Sequence, residues 1–86
     1  PYFADLLENL KTVRTRIAKK ENVPPYIVFS DATLVELATF LPQNYAELRK
    51  ISGVGDLKLQ KYGVDFLPII ISYAKENHLT SKINLK

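Results

Sequence analysis

Three features of this 86-residue chain predict an all-α fold, a compact bundle of about five helices. Apolar residues recur three, four and seven positions apart, the repeat of one helix face. No segment shows the two-residue alternation of a half-buried strand. Prolines and glycines cluster where the periodic runs end, as punctuation between helices.

The first helix is expected over residues 2–21. Phe3, Leu6, Leu7, Leu10, Val13 and Ile17 fall on one stripe covering about a third of the circumference. Lys19 lies roughly opposite that stripe, with Lys11 and Arg16 nearer its sides and Lys20 closer to one edge. Arg14 falls within the other edge, which predicts a packed stem whose guanidinium finds a carboxylate. Asn22 can cap the helix end, and Pro24 and Pro25 stop it.

The connector Asn22–Asp31 is unusual because it is apolar where loops are mostly polar. Its two prolines block helix and favour extended geometry before them. Ile27, Val28 and Phe29 are expected to plug into a core, with Pro24 and Pro25 as a rigid bracket. From the residues alone, Tyr26 can join that plug or point outward.

Ser30 or Asp31 then caps a second helix carrying Leu34, Leu37, Ala38 and Leu41, ended by Pro42. Asp31 reads as a cap rather than as a catalytic acid. Asn44 caps a short third helix, Tyr45–Lys50, which turns Leu48 and Ile51 inward. A tight turn, Ser52–Asp56, leads to a fourth helix ending near Tyr62, with a break at Gly63. Asp65 can cap a fifth helix, with Pro68 tolerated in its first turn. Residues 1–78 are thus expected to form one domain and 79–86 a C-terminal tail.

Composition narrows the function. The chain has no cysteine and one histidine, so it offers neither a thiolate metal site nor a cysteine nucleophile. His78 lies near the chain end with no acid directed at it, and reads as a helix-end or solvent-facing residue. Carboxylates are scattered singly, and Gly53-Val54-Gly55 is not followed by a phosphate-loop lysine. The expectation is a non-catalytic domain with no cofactor and no metal. No apolar run approaches the roughly 18 residues of a membrane span. The chain starts at Pro1, which suggests a piece of a longer protein.

Net charge is +3, unevenly spread. Residues 1–20 and 49–61 each carry +3, whereas 31–47 carry −3. Basic regions of this kind favour an anionic partner over part of the surface. Lys19 and Lys20 stand beside the Pro-Pro-Tyr connector, and cations next to an aromatic ring suit a single strand of nucleic acid. The competing expectation is a solvated lysine face with Tyr26 packed inside. Leu48-x-x-Ile51-x-Gly53-Val54-Gly55 is similar to a helix-hairpin-helix turn, whose amide groups can hold a phosphate near Lys58 and Lys61. It can equally be a purely structural turn with Val54 buried, and Asp56 opposes an anion there.

Taken in order, four motifs resemble one family. These are Leu10-x-x-x-Arg14-x-x-Ile17-Ala18, Val23-Pro24-Pro25-Tyr26-Ile27-Val28-Phe29, Asp31-x-Thr33-Leu34 and Ile51-x-Gly53-Val54-Gly55-x-x-Lys58-x-x-x-Tyr62-Gly63. Over about residues 3–75 the chain resembles the HRDC domain, the helicase-and-RNase-D C-terminal module, most like that of bacterial RecQ DNA helicases. The resemblance implies a five-helix fold related to helix-hairpin-helix domains. It implies an accessory role in a DNA helicase acting in repair and recombination, in the bacterial cytoplasm at the nucleoid. It also implies weak, sequence-tolerant binding of single-stranded or structured DNA by Tyr26, with Lys19, Lys20, Arg16, Lys58 and Lys61 nearby. A monomer is expected. Two other readings remain at this point: a module that docks on its own helicase core, using the acidic Glu36 and Glu47, and an RNA-binding domain of the RNase D type.

Overall fold

The computed structural model describes residues 1–86, and all of its regular structure is helical. The helices are α1 (Ala4–Glu21), α2 (Pro25–Val28), α3 (Asp31–Phe40), α4 (Tyr45–Leu48) and α5 (Asp56–Glu76), followed by a 3₁₀ turn at Ile83–Leu85. Helix α1 packs on α2, α3 and α5, and α4 packs on α5. The predicted count of five holds, but the division of the chain differs in two places.

The first difference lies in the connector. Pro24 is extended as expected, yet Pro25 starts the helical turn α2 instead of blocking helix there. A proline at the first helical position loses no hydrogen bond and has its φ preset for helix. That single turn divides the apolar run. Val28 and Phe29 are buried, whereas Ile27 is 43% exposed and is not part of the plug. Phe29 is central: its ring meets Phe66 edge-on at 5.0 Å and Tyr62 at 5.8 Å.

The second difference is at Gly63. The expected break there, with a new cap at Asp65, does not occur, and α5 runs unbroken for 21 residues. Gly63 serves close approach instead: a Cβ on it would collide with the Tyr45 ring of α4. Pro68 removes one donor inside the helix, but it is exposed, so the carbonyl left without a partner can be hydrated.

The remaining boundaries follow local chemistry. Asn22 takes a left-handed conformation (φ 56°) and closes α1, its N–H donating to the Ala18 and Lys19 carbonyls. Ser30 caps α3 through its hydroxyl, which accepts from the Thr33 N–H at 3.2 Å. Asn44 caps α4 in the same way for Glu47 at 2.8 Å. His78, at φ 55°, reverses the chain after α5, where Leu79 N–H donates to the Ala74 carbonyl at 2.8 Å. Residues beyond 78 fold back on the body: Lys82 N–H donates to the Phe40 carbonyl at 2.8 Å, and Lys86 pairs with Glu36 at 3.3 Å.

Two tyrosine–carboxylate hydrogen bonds tie α1 to α5 at opposite ends. Tyr73 donates to Asp5 Oδ1 at 2.7 Å, and Tyr62 donates to Glu21 Oε1 at 2.6 Å. Between them lies one continuous core that includes Leu6, Leu10, Leu34, Leu37, Phe66 and Ile70, all fully buried. A core of this size is consistent with a net stability of roughly 4–13 kcal/mol.

Candidate nucleic-acid interface

Arg14 fixes the segment that carries Tyr26. Its guanidinium donates to the Phe29 carbonyl at 3.0 Å and pairs with Asp31 at 2.8 Å, with 11% of the side chain exposed. The arginine on the apolar edge therefore has the packed stem and carboxylate partner expected of it, and Asp31 stands in the first turn of α3 as that partner. Phe29 anchors one end of α2 in the core. At the other end, Val23 N–H donates to the Ala18 carbonyl at 3.0 Å. Between these anchors Tyr26 is 65% exposed.

The cations separate into two groups. Arg16 and Lys19 lie on the outer face of α1, where they line a shallow groove with Glu8, Lys11, Thr12 and Thr15. Lys20 is exposed in the last turn of α1. Lys58 and Lys61 reach the connector side from α5. Lys58 Nζ stands 5.8 Å from the centre of the Phe29 ring. Lys61 Nζ pairs with Glu21 at 3.3 Å and stands 5.3 Å from the centre of the Tyr62 ring. Cations over ring faces are held by the ring quadrupole without losing their charge. Lys61 alone among the five candidate cations has a carboxylate within ion-pairing distance.

Glu21 is the residue that sequence reasoning missed. Its carboxyl is held below the usual range, first by the Tyr62 hydroxyl and then by Lys61 and Lys20. The Lys61 ammonium is raised by its contacts with Tyr62 and Glu21. The Tyr62 phenol is raised by burial and by the hydrogen bond to Glu21. Forty residues separate Glu21 from Lys61, and no local pattern signals such a pair.

The Gly-Val-Gly turn has a structural role of its own. Val54 is buried. Gly53 has φ 89°, and a Cβ there would collide with Thr33 Oγ1, which donates to the Ser52 carbonyl at 2.8 Å. Gly55 precedes α5 with no side-chain cap, and Asp56 in that first turn is held by Arg49 at 2.6 Å.

The acidic pair offered for docking is occupied internally. Glu36 accepts from Ser52 N–H at 3.2 Å and pairs with Lys86; burial pushes its carboxyl up, but these contacts prevail and hold it below the usual range. Glu47 accepts from Gln43 N–H at 2.9 Å. No three His, Cys, Asp or Glu side chains gather as a metal ion would need. No helix is long and apolar enough to cross a membrane.

Comparison with known proteins bears on the fold. The family model described as "HRDC domain" matches residues 3–70. The ATP-dependent DNA helicase RecQ of Haemophilus influenzae is 48% identical over 69 residues, covering 80% of this chain and 11% of that protein. RecQ of Bacillus subtilis is 48% identical over 71 residues, covering 83% and 12%. The ATP-dependent DNA helicase UvrD2 of Mycobacterium bovis is 46% identical over 66 residues, covering 77% and 9%. The chain thus spans about a tenth of the length of these relatives. Among solved structures, the chain described as "D. radiodurans RecQ HRDC domain 3" superposes with a TM-score of 0.77 at 34% identity, covering 81% of this chain and 92% of that one. An all-helical fold, the four motifs in order and matches of this extent identify the chain as a member of the HRDC domain family.

Proposed function

We propose that this domain is a non-catalytic accessory module of an ATP-dependent DNA helicase, and that it holds single-stranded or structured DNA weakly and without sequence preference. The observation that carries the proposal is Tyr26: an aromatic ring 65% exposed on a turn anchored at both ends. Exposing a large ring on a rigid turn forgoes burial, and a nucleobase can restore that contact by stacking. Lys19, Lys20 and Arg16 from α1, with Lys58 and Lys61 from α5, would supply phosphate contacts around it. The helicase names of the relatives support DNA over the RNA-binding alternative.

Docking on the helicase core is the second reading, and one observation favours it. Leu57 and Val64, seven residues apart on α5, are 75% and 65% exposed. That surface replaces Glu36 and Glu47, which are already committed within the fold.

The deciding experiment is a fluorescence or amide-shift titration with oligo-dT at low salt. Tyr26→Ala should weaken binding by about 1–3 kcal/mol, the usual worth of one stacked base. Its melting temperature should stay within about 3 °C of wild type, because an exposed side chain contributes little to stability. Unchanged affinity in a folded Tyr26→Ala variant would remove the stacking role.

A further inference from the structure

We infer that Glu21 is an internal competitor for phosphate, which holds Lys61 in reserve and thereby sets the strength and salt dependence of nucleic-acid binding. This rests on the reading of the connector side as the DNA-binding surface.

The geometry is specific. Glu21 Oε1 accepts from the Tyr62 hydroxyl at 2.6 Å and stands 3.3 Å from Lys61 Nζ. The tyrosine holds the carboxylate in place and its hydrogen bond favours the charged form. It also stands at the C-terminal end of α1, where the helix dipole disfavours an anion, and where Lys20 and Asn22 are its chain neighbours. A carboxylate in that place needs a compensating partner, and Tyr62 with Lys61 supplies it.

A carboxylate oxygen and a phosphate oxygen offer an ammonium group the same kind of acceptor. A DNA phosphate reaching Lys61 must displace Glu21, and any phosphate nearby meets its charge. Lys58 differs, since it stands over the Phe29 ring and has no carboxylate within ion-pairing distance, which leaves its charge available. The two lysines are one helical turn apart on α5 and yet unequal as phosphate contacts.

Glu21→Gln tests this with little disturbance, because a glutamine oxygen can still accept from Tyr62. Affinity for oligo-dT should rise roughly two- to fivefold at low salt, the fold-change of freeing one exposed ion pair. The slope of log affinity against log salt should steepen by about 0.7, the value of one added phosphate contact on a single strand. In a Lys61→Ala background the same substitution should no longer steepen the slope. Tyr26→Ala provides the control for the underlying reading. If Tyr26→Ala weakens binding while Glu21→Gln leaves affinity and slope unchanged, the competitor role is overturned and the stacking site stands. If neither wild type nor Glu21→Gln binds, the DNA-binding reading falls and takes this inference with it. A gain that persists in full without Lys61 would also overturn it, since Glu21 would then act only through general repulsion. Should Glu21→Gln lower the melting temperature, Tyr62→Phe with Glu21 intact separates loss of the hydrogen bond from loss of the charge. Tyr62→Phe must then leave the salt slope at its wild-type value, and a steeper slope there would refute the assignment to charge.

Discussion

Substituting Gly63 by alanine distinguishes a helix break from a close packing contact. As an interior position of α5, Gly63→Ala should gain about 1 kcal/mol of helix propensity. The added Cβ, however, meets the Tyr45 ring, with Cδ1 at 3.2 Å and Cζ at 3.4 Å and Cε1 closer still. Tyr45 is 46% exposed, so its ring can swing outward, at a cost of roughly 1–3 kcal/mol in lost packing. The two effects oppose, and Gly63→Ala alone should be neutral to destabilising by about 2 kcal/mol. With Tyr45→Ala already in place, the collision is gone and the propensity gain should emerge in full. The double-mutant cycle should therefore show a coupling of about 1–3 kcal/mol. Urea denaturation measures it, provided the slope with denaturant stays constant across the four proteins. In thermal melts each kcal/mol corresponds to roughly 4–8 °C for a domain of this size. The reasoning is refuted if Gly63→Ala stabilises wild type as much as it stabilises Tyr45→Ala. Equal destabilisation in both backgrounds would show instead that the position needs glycine's backbone freedom.

The remaining predictions concern the connector and the two tyrosine clamps. Phe29→Ala should cost about 3–5 kcal/mol, because it empties the aromatic centre of the core, whereas Ile27→Ala should stay within about 0.5 kcal/mol; comparable losses at both positions in urea melts would contradict the division made by α2. Stability should also fall at both extremes of pH. The Asp5 and Glu21 carboxyls are held below their ordinary 3.8 and 4.5 by Tyr73 and Tyr62, so their contribution is complete above those values and is lost as pH drops through the lower folded ones. The Tyr73 phenol is pushed up from 10.0 to about 12 by its hydrogen bond to Asp5, so its contribution is complete below pH 10 and lost between about pH 10 and 12. Melting temperature followed against pH for wild type and Tyr73→Phe should show the difference between them vanishing at both ends; a constant difference would argue against the clamp.

The helices that were legible in the sequence are those whose signals are local. The stripe of α1 and the caps Ser30 and Asn44 each report a face or an end without reference to the rest of the chain. Arg14 was legible because a cation on an apolar edge must find a partner once buried. Ambiguity arose where one residue type serves two purposes. Gly63 followed by Asp65 reads as a stop and a new cap, and only the Tyr45 ring, eighteen positions earlier, shows that the glycine makes room. Pro25 reads as a helix blocker but is equally suited to start a turn, and the contacts of Phe29 decide which. At the candidate site, the exposure of Tyr26 depends on that same turn, and the pairing of Glu21 with Lys61 depends on α1 and α5 lying side by side. Such pairings are properties of tertiary packing, which no window of adjacent residues contains.

The two tyrosine clamps also constrain how α1 and α5 can slide. On α1 the anchored residues, Asp5 and Glu21, are sixteen steps apart; on α5 their partners, Tyr73 and Tyr62, are eleven. At 1.5 Å per residue these spans are about 24 Å and 16 Å. The mismatch of about 8 Å has to be absorbed by the two long phenol side chains and by the angle between the helix axes. Each hydrogen bond tolerates only a few tenths of an ångström. A shift of α5 along its axis by one helical turn, about 5.4 Å, would carry both phenols away from their acceptors together. The two bonds together thus fix one register of α5 on α1, where two greasy helix faces alone would accept several.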